Sequence, residues 1–522
     1  MLRRDIAEDM MDIGTEAAGT LRLHANDNVV VTVRPFARGA RPLGDGVPLE
    51  KPVPLGHKIA TEDMDTGTPI LKFGQIIGYA TQPVPRGGHV HTHNCAFGAH
   101  DQAYEIGADF APVDYVPEAA RRSFMGFRRA DGKAGTRNYI ALCATVNCSA
   151  TVIRHIADRV NRSGILDRYP NVDGVIALAH GTGCGMASSG EGYEALQRVL
   201  WGYATHPNVG ATIFIGLGCE VMQIGRMKEM FGATGQERFH GLTIQEAGGT
   251  RKTIEAGVAA VTALLPEVDR ATREPIPVSE LIVGLQCGGS DGFSGITANP
   301  ALGAATDLLV RQGGTALLSE TPEIYGAEQL LVRRAASAEV GRKLIDRIRW
   351  WEDYTARNGG EMDNNPSPGN KAGGLTTILE KSLGAAAKGG TLALADVLLY
   401  AEPVRQRGFV FMDSPGYDPV SATGQIASGA QLVVFTTGRG SAFGSKPAPT
   451  IKLATNSPMY RALEEDMDIN CGDIVDAGVR IEAKGEEILE TMIAVASGAR
   501  SKSEALGLGD NEFIPWQIGA VM

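Results

Sequence analysis

The sequence predicts a multidomain α/β protein in which a small all-β module precedes an α/β body with largely parallel, Rossmann-like sheets. Between residues 27 and 97, short β-rich runs such as DNVVVTV and PILKFGQIIGYA are separated by Pro and Gly turns, which is typical of a compact β module. From residue 125 onward, near-continuous apolar runs alternate with segments of helical spacing. That alternation is the pattern of strands buried on both faces of a parallel sheet.

The segments follow one another in a simple order. Residues 1–26 are polar and weakly patterned, which predicts an extension ahead of the β module at 27–97. Residues 98–124 contain Pro, Ala and acidic residues with little periodicity, as expected of a linker. The alternating pattern predicts a central α/β domain over 125–390, and the strand-like runs FVFMDSP, LVVFTTGRG and TIKLATN predict a C-terminal α/β subdomain over 391–522.

Composition excludes several classes of protein. A chain of 522 residues is too long for one ordinary core. Its net charge of −11, with no Lys/Arg-rich block, argues against a nucleic-acid partner. No apolar run of membrane-spanning length and no signal peptide is visible, so we expect a cytoplasmic protein without a membrane partner. The seven scattered cysteines predict free thiols or metal ligands, and large metabolic enzymes are often homo-oligomers.

Cysteines follow four of the apolar strands within a few residues. The carboxyl ends of parallel strands lie along one edge of a sheet, where ligands bind, so we expect these thiols to converge on a metal. His180, four residues before one of the cysteines, is a further candidate ligand. The alternative is that each cysteine is a small buried hydrophobic residue. The four cysteines are Cys148, Cys184, Cys219 and Cys287.

The stretch GHVHTHN at 88–94 places His89, His91 and His93 at every second position. Side chains alternate along an extended segment, so the three imidazoles are predicted to share one face. Such a face suits proton transfer or metal ligation. A solvated strand edge is the alternative interpretation.

Four longer motifs are GLGCE (216–220), QCGGSDGFSGITANP (286–300), NPSPGNKAGG (365–374) and FTTGRGSAFG (435–444). Together they closely resemble the altronate and galactarate dehydratase family of sugar-acid lyases. The resemblance runs in the same order from about Asp27 to the C-terminus. The β module is similar to the SAF domain, a β-clip fold, and GHVHTHN resembles the altronate branch of the family.

The resemblance implies a hydro-lyase that converts D-altronate to 2-keto-3-deoxy-D-gluconate and water, with galactarate or another sugar acid as the alternative substrate. Removing the weakly acidic C2 proton beside a carboxylate builds a doubly negative intermediate, which a divalent metal stabilises as a Lewis acid. The resemblance implies iron(II), either mononuclear or in an iron–sulfur cluster, and manganese is the alternative metal.

This chemistry assigns three sets of expected site residues. The catalytic set that transfers protons contains His89, His91, His93 and Lys371. The substrate-binding set contains Arg137, Asn138, Asn299, Asn370 and Arg439. The metal set contains Cys148, His180, Cys184, Cys219, Glu220, Cys287 and Asp291.

Two functions of other classes compete with the lyase. A non-catalytic iron–sulfur or thiolate protein, such as a redox carrier or an iron sensor, explains the cysteines but has no need for the polar loop NNPSPGNKAGG or the turn TTGRG. A sugar-acid-binding protein without turnover explains the loop and the turn but leaves the cysteines without a use.

Overall fold

The computed structural model describes residues 19–98, 103–232 and 239–519. The first domain is all-β, as predicted, and consists of two small antiparallel sheets with strand orders β1-β2-β3-β6 and β4-β5-β7. Its strands are β1 (Thr20–Leu21), β2 (Val29–Thr32), β3 (Lys58–Ala60), β4 (Pro69–Lys72), β5 (Gln75–Ala80), β6 (His89–Val90) and β7 (Cys95–Ala96).

The predicted N-terminal extension is partly wrong. Thr20 and Leu21 form β1, which pairs with Val31 and Thr32 of β2, and Leu21 is buried. The short apolar stretch around Leu21 is therefore part of the first domain, because it covers the outer edge of a sheet. Residues 1–18 of the predicted extension lie outside the described residues.

The predicted linker runs over the surface of the C-terminal domain. Within its described part, Tyr104 Oη donates to Glu328 Oε1 at 2.7 Å, and Arg333 Nε lies 2.7 Å from Asp109 Oδ2. These polar contacts hold a segment that has little regular structure of its own.

The second domain is a doubly wound α/β unit. Its four strands are parallel in the order β11-β10-β12-β13, and their apolar side chains are buried by helices on both faces. The strands of this region are β8 (Ser123–Arg128), β9 (Ala134–Gly135), β10 (Tyr139–Ala144), β11 (Gly174–Leu178), β12 (Val209–Gly216) and β13 (Phe239–Thr243). The helices are α1 (Asn147–Arg162), α2 (Glu191–Ala204), α3 (Ile224–Met230) and α4 (Thr250–Val268).

The third domain contains a seven-stranded parallel sheet in the order β17-β18-β16-β15-β19-β20-β21. Its strands, after β14 (Arg273–Pro277), are β15 (Ile282–Cys287), β16 (Thr315–Ser319), β17 (Leu394–Leu398), β18 (Gly408–Met412), β19 (Leu432–Thr437), β20 (Thr450–Ala454) and β21 (Ile469–Asn470). Its helices are α5 (Ala298–Arg311), α6 (Gln329–Val332), α7 (Ala338–Arg357), α8 (Pro368–Ala372), α9 (Ile378–Ala387), α10 (Asp418–Ala427), α11 (Ser457–Ala462), α12 (Asp473–Asp476), α13 (Ile481–Ala496) and α14 (Lys502–Ala505). Short 3₁₀ turns occupy Glu118–Ala120, Ile165–Arg168, Val278–Glu280, Thr321–Ile324 and Met362–Asn364.

The predicted domain boundary at residue 390 is wrong. The seven-stranded sheet takes β15 and β16 from before that residue and its other five strands from after it. The change of sheet occurs instead near β14, which pairs with β8 in a small three-stranded antiparallel sheet. Strands and helices alternate through both sheets, so the periodicity of the sequence does not indicate where the first sheet ends and the second begins.

The second and third domains share an apolar core. Tyr203 and Phe214 of the second domain belong to the same buried cluster as Phe435 and Phe443 of the third. A core common to both sheets fixes their relative position. Among helices of the described segments, none is long and apolar enough to cross a membrane.

A buried ion triad holds the first domain against α9. Lys58 and Lys72 of the first domain each lie 2.8 Å from a different carboxylate oxygen of Glu380. Lys58 Nζ also donates to Gly374 O at 2.6 Å, and Thr376 donates to Glu380 through its N–H and its hydroxyl. We call Lys58, Lys72 and Glu380 the lysine–glutamate triad.

Candidate active site

Three histidines meet where β3 and β6 pair. The antiparallel register sets Lys58 opposite Val90, so His57, immediately before β3, lies opposite His91. The His57 ring centroid is 4.7 Å from that of His91 and 5.1 Å from that of His89. His57 Nδ1 lies 3.0 Å from His89 Nε2. We call His57, His89 and His91 the histidine cluster.

The predicted single extended face is replaced by a turn. Strand β6 ends at Val90, and the residues after it form a turn. Buried Asn94 stabilises this turn, because its side chain accepts a hydrogen bond from His91 N at 2.9 Å and donates one to His89 O at 3.0 Å. The turn still groups the rings, because the His93 centroid is 5.5 Å from that of His89. His93 is exposed, whereas His89 and His91 are half-buried.

Burial keeps the cluster uncharged at neutral pH. Burial is the main reason that the pKa of His89 is lowered to about 3, and His57 and His91 lower it further by charge repulsion. Burial, with Lys58 nearby, lowers the pKa of His91 to about 4. The pKa of His57 is also lowered by burial. Neutral imidazoles retain the lone pairs that bind metals.

The cluster fits a transition metal by its own geometry. One nitrogen from each histidine lies within 4.8 Å of the others. His91 Nδ1 is buried and has no hydrogen-bond partner within the described part of the chain. A buried nitrogen without a partner is costly unless something binds it. Imidazole suits iron, zinc and copper, so this donor set accommodates the expected iron(II).

The cluster lies against the C-terminal edge of the seven-stranded sheet. His57 Nε2 is 3.4 Å from Ala372 O, at the end of α8. A side chain at Gly292, in the loop after β15, would place its Cβ 2.2 Å from Gly56 O, so glycine is what allows the first domain to approach this closely. Ligands of open α/β sheets bind at this edge.

Two predicted cations lie in segments at the same edge of the sheet. Arg439 follows β19, its N–H donates to Gly289 O at 2.9 Å, and its side chain is exposed. Lys371 is half-buried in α8. Neither side chain forms an ion pair with another described residue, and both are candidates for binding an anion. Predicted Asn370 instead caps α8 with Ser367 and donates to Ser290 O at 2.9 Å, so it positions Lys371.

Asp291 is a poor metal ligand in this structure. Its carboxylate is buried and accepts from Ser294, Thr455, Asn456 and the Phe293 N–H. Burial raises its pKa, and these neutral donors lower it in part. Asp291 therefore joins the loops after β15 and β20, and the sequence-based metal assignment is not supported.

Cys287 lies in a buried charged cluster at the end of β15. Its Sγ is 2.7 Å from Lys388 Nζ and 3.6 Å from Glu323 Oε2, and Lys381 Nζ is 2.6 Å from Glu323 Oε1. Burial raises the pKa of the Cys287 thiol to about 12 and raises the pKa of Glu320 well above its usual value. Burial also acts to raise the pKa of Glu323, but Lys381 and Lys388 bring it below its usual value.

The other three cysteines do not converge with Cys287. They follow strands of the second-domain sheet, whereas Cys287 ends a strand of the third-domain sheet. Their loops touch each other, since Asn147 N donates to Thr182 O and Val221 N to Gly183 O. No group of three potential ligand atoms within 4.8 Å contains any of these thiols in the described segments. The three exposed cysteines are Cys148, Cys184 and Cys219.

Two neighbouring metal candidates are engaged in protein contacts. His180 Nε2 donates to Ala144 O at 2.8 Å and its Nδ1 accepts from Thr182 N at 3.3 Å, which leaves no ring nitrogen for a metal. Glu220 accepts from Thr145 Oγ1 at 2.8 Å and Gly218 N at 2.6 Å. Both residues fasten strand-end loops, and the metal roles predicted for them are not supported.

Three predicted substrate-binding residues are buried scaffold. Arg137 makes a bidentate ion pair with Glu504 and donates to carbonyls of Val495 and Ala499. Asn138 donates to two backbone carbonyls at 2.7 and 3.0 Å. Asn299 donates to a carbonyl at 2.9 Å and accepts from a threonine hydroxyl at 2.6 Å. Their polar atoms are used inside the protein, so the structure gives no support for the substrate-binding roles predicted for them.

Sequence reasoning missed His57, Glu320, Glu323 and the lysine–glutamate triad. His57 stands alone in PLGHKIA, and only the long-range pairing of β3 with β6 brings it to His91. Glu320 and Glu323 lie in the stretch SETPEI, which has no metal-ligand spacing of its own. No local spacing distinguishes these residues.

Comparison with known proteins gives three domain matches in order. They are the altronate/galactarate dehydratase SAF domain over residues 18–97, the D-galactarate dehydratase/altronate hydrolase second domain over 126–269, and the D-galactarate/altronate dehydratase C-terminal domain over 278–521. These spans agree with the change of sheet near β14.

Similar whole chains are known in two bacteria. Altronate dehydratase of Bacillus subtilis (strain 168) is 38% identical over 482 residues, which cover 92% of this chain and 95% of the relative. Altronate dehydratase of Escherichia coli (strain K12) is 36% identical over 487 residues, covering 93% and 96%. Galactarate dehydratase (L-threo-forming) of the same strain is 35% identical over 499 residues, covering 93% and 94%.

Proposed function

The chain belongs to the altronate and galactarate dehydratase family, and from that premise we propose that it removes water from D-altronate to give 2-keto-3-deoxy-D-gluconate. It is a carbon–oxygen lyase of the hydro-lyase class and acts on a sugar acid. Altronate is preferred as the substrate because GHVHTHN resembles the altronate branch. The rival substrate is galactarate, the acid named for a relative of nearly equal identity.

The observation that carries the proposal is the histidine cluster at the edge of the seven-stranded sheet. Its three neutral imidazoles and the partnerless His91 Nδ1 support iron(II) held by His57, His89 and His91. Bound there, the metal supplies positive charge to the substrate carboxylate and to the intermediate that forms on loss of the C2 proton. Manganese is the second metal to test.

The remaining groups handle the anion and the protons. Arg439 pairs with the substrate carboxylate, for which the forked guanidinium is well suited. Exposed His93, beside His89, takes the proton from C2. Lys371 gives a proton to the departing C3 hydroxyl, which leaves as water. The resulting enol takes a proton at C3 and becomes the 2-keto acid.

Turnover and metal content test the proposal together. We expect purified protein, loaded anaerobically with iron(II), to form a keto-deoxy acid from D-altronate faster than from galactarate. His91→Ala should lose both iron and turnover, whereas His155→Ala, an exposed histidine on α1, should retain both. Faster turnover of galactarate would refute the substrate assignment, and a His91→Ala protein that keeps its iron would refute the metal assignment.

We place the enzyme in the cytoplasm. All seven cysteines are free thiols, which favours a reducing compartment. The net charge of −11 and the metabolic substrate agree with a small-molecule enzyme rather than a nucleic-acid or membrane-binding protein. A homo-oligomer is the expected assembly, and sedimentation would test it.

A further inference from the structure

A second set of metal-binding atoms lies inside the third domain, away from the histidine cluster. Cys287 is the last residue of β15, Glu320 directly follows β16, and Glu323 lies in the 3₁₀ turn Thr321–Ile324. One ligand atom from each lies within 4.8 Å of the other two. The three residues are only 2%, 0% and 3% exposed.

Glu320 is the unusual member of this set. Both of its carboxylate oxygens are buried and have no hydrogen-bond partner in the part of the chain described. Its φ of 76° lies in the left-handed region, which residues other than glycine seldom adopt. Buried polar groups are almost always hydrogen-bonded, and a strained backbone conformation often marks a functional position. A bound ligand would account for both features.

The other two donors are already held in position. Glu323 uses Oε1 to accept from Lys381 at 2.6 Å and from Asn365 at 2.9 Å, which leaves Oε2 directed toward Cys287 Sγ at 3.6 Å. Lys388 Nζ lies 2.7 Å from the same sulfur. Outer partners of this kind orient metal ligands, and an ammonium beside a thiol stabilises its thiolate.

The acidic groups around these donors outnumber the ammonium groups. Asp418 is a fourth acidic group, since it exerts a charge effect on this set and is influenced by Glu323, Lys381 and Lys388. Two ammonium groups, Lys381 and Lys388, thus face four acidic groups. A divalent cation bound in place of the protons on Cys287 and Glu320 would leave the charge of this buried cluster unchanged while giving both groups a partner.

We propose that Cys287 Sγ and one carboxylate oxygen each of Glu320 and Glu323 form a second, buried site for a divalent transition metal. A thiolate among the ligands favours zinc, iron(II) or cobalt(II) over magnesium and calcium. The metal would connect the ends of β15 and β16 to the 3₁₀ turn. It would also give the buried carboxylate of Glu320 the partner that it lacks. The site stands whether the substrate is altronate or another sugar acid, because it uses none of the groups that bind substrate.

Cobalt(II) tests this site because a thiolate ligand gives it a near-ultraviolet charge-transfer absorption that histidine ligands do not give. The background protein carries Cys148→Ser, Cys184→Ser and Cys219→Ser, so that exposed thiols cannot contribute. We expect this full-length background protein, loaded anaerobically with cobalt(II), to bind two equivalents and to show the absorption. His91→Ala in that background should lose one equivalent and keep the absorption.

Two substitutions then address the buried ligands. Glu320→Gln and Cys287→Ser should each lose one equivalent, and Cys287→Ser should also lose the absorption. Cys471→Ser, at a buried cysteine elsewhere in the core, should change neither. Absence of the absorption in the background protein, or its persistence in Cys287→Ser, would overturn the proposal. If Cys287→Ser does not fold, Glu320→Gln decides, because unchanged cobalt content in that variant also overturns it.

Discussion

Glu380→Gln should detach the first domain from α9, because it removes the only carboxylate of the lysine–glutamate triad. The side chains of Lys58, Lys72 and Glu380 are 0–2% exposed, and both N–O distances are 2.8 Å. The substitution leaves two buried ammonium groups without a counter-charge. Lys58 keeps its bond to Gly374 O, and Lys72 keeps a ring contact with Phe73 at 4.9 Å and a weakened contact with the new amide.

The expected cost follows from the geometry. Removing one partner of a buried ion pair costs about 3–5 kcal/mol, and two ammonium groups here depend on one carboxylate, so we expect about 4 kcal/mol. That free energy corresponds to an increase of about 10³-fold in the population of the undocked state. A matched control is Glu482→Gln, which removes an exposed partner of Arg480 and should cost less than about 1 kcal/mol.

Hydrogen exchange followed by mass spectrometry measures this opening locally. Amides of residues 57–60 and 376–387 should exchange faster by about 10³-fold in Glu380→Gln, while the strands of the second domain should be unchanged. The triple variant Lys58→Met, Lys72→Met and Glu380→Leu should restore protection, because an apolar replacement of a buried ion group is often neutral or stabilising. Protection in Glu380→Gln equal to that of Glu482→Gln would refute the reasoning.

The triad also predicts an acid dependence. Burial alone would raise the pKa of Glu380, but Lys58 and Lys72 bring it far below its unfolded value of 4.5. A lowered pKa stabilises the folded state fully above the unfolded value and progressively less as pH falls below it. Docking should therefore weaken below about pH 4.5, and that part of the dependence should be missing from Glu380→Gln.

Three further outcomes are expected. Asn94→Ala loses two hydrogen bonds in the turn between His89 and His91, so iron titration should show weaker binding, with a stability loss of about 1–3 kcal/mol. His206 is buried and its pKa is lowered to about 3, so this residue alone should lower stability by about 1.4 kcal/mol per pH unit as pH drops from 6.5 toward 3. Urea titrations of His206→Gln should show a pH slope that is smaller by that amount. Arg137→Met should cost about 3–5 kcal/mol in urea unfolding with kcat/KM unchanged at 25 °C, whereas a raised KM would restore its predicted role in binding substrate.

Strands of both parallel sheets were predictable because burial on two faces requires continuous apolar runs. The runs YIALCATV, GVIALAH, ATIFIGLG and LIVGLQ each overlap one strand. Assignment of those strands to sheets was not predictable. Cys219 follows β12 and Cys287 follows β15 with the same local signal, yet they end strands of different sheets. Strand order is decided by long-range packing, which periodicity does not record.

The histidine stretch shows the same division at smaller scale. Three closely spaced histidines were enough to indicate a site, and the structure does bring His89 and His91 together. The predicted extended strand is wrong in part. A turn stabilised by Asn94, and not one long strand, brings the rings together. His57 could not be predicted from the sequence, because its position opposite His91 depends on the pairing of β3 with β6, two strands about thirty residues apart in the chain.

The distribution of charge around the sheet edge explains why substrate should meet the histidine cluster. Lys58 and Lys72 are paired with Glu380, Lys381 with Glu323, and Lys388 lies on Cys287, so none of these buried ammonium groups has its charge available to a sugar acid. Arg439 and Lys371 lie at the same edge, and neither forms an ion pair with another described residue. An elimination that passes through a doubly negative intermediate needs unpaired positive charge near the reacting carbon atoms, which is why Arg439 and Lys371 are the cations that we assign to the substrate.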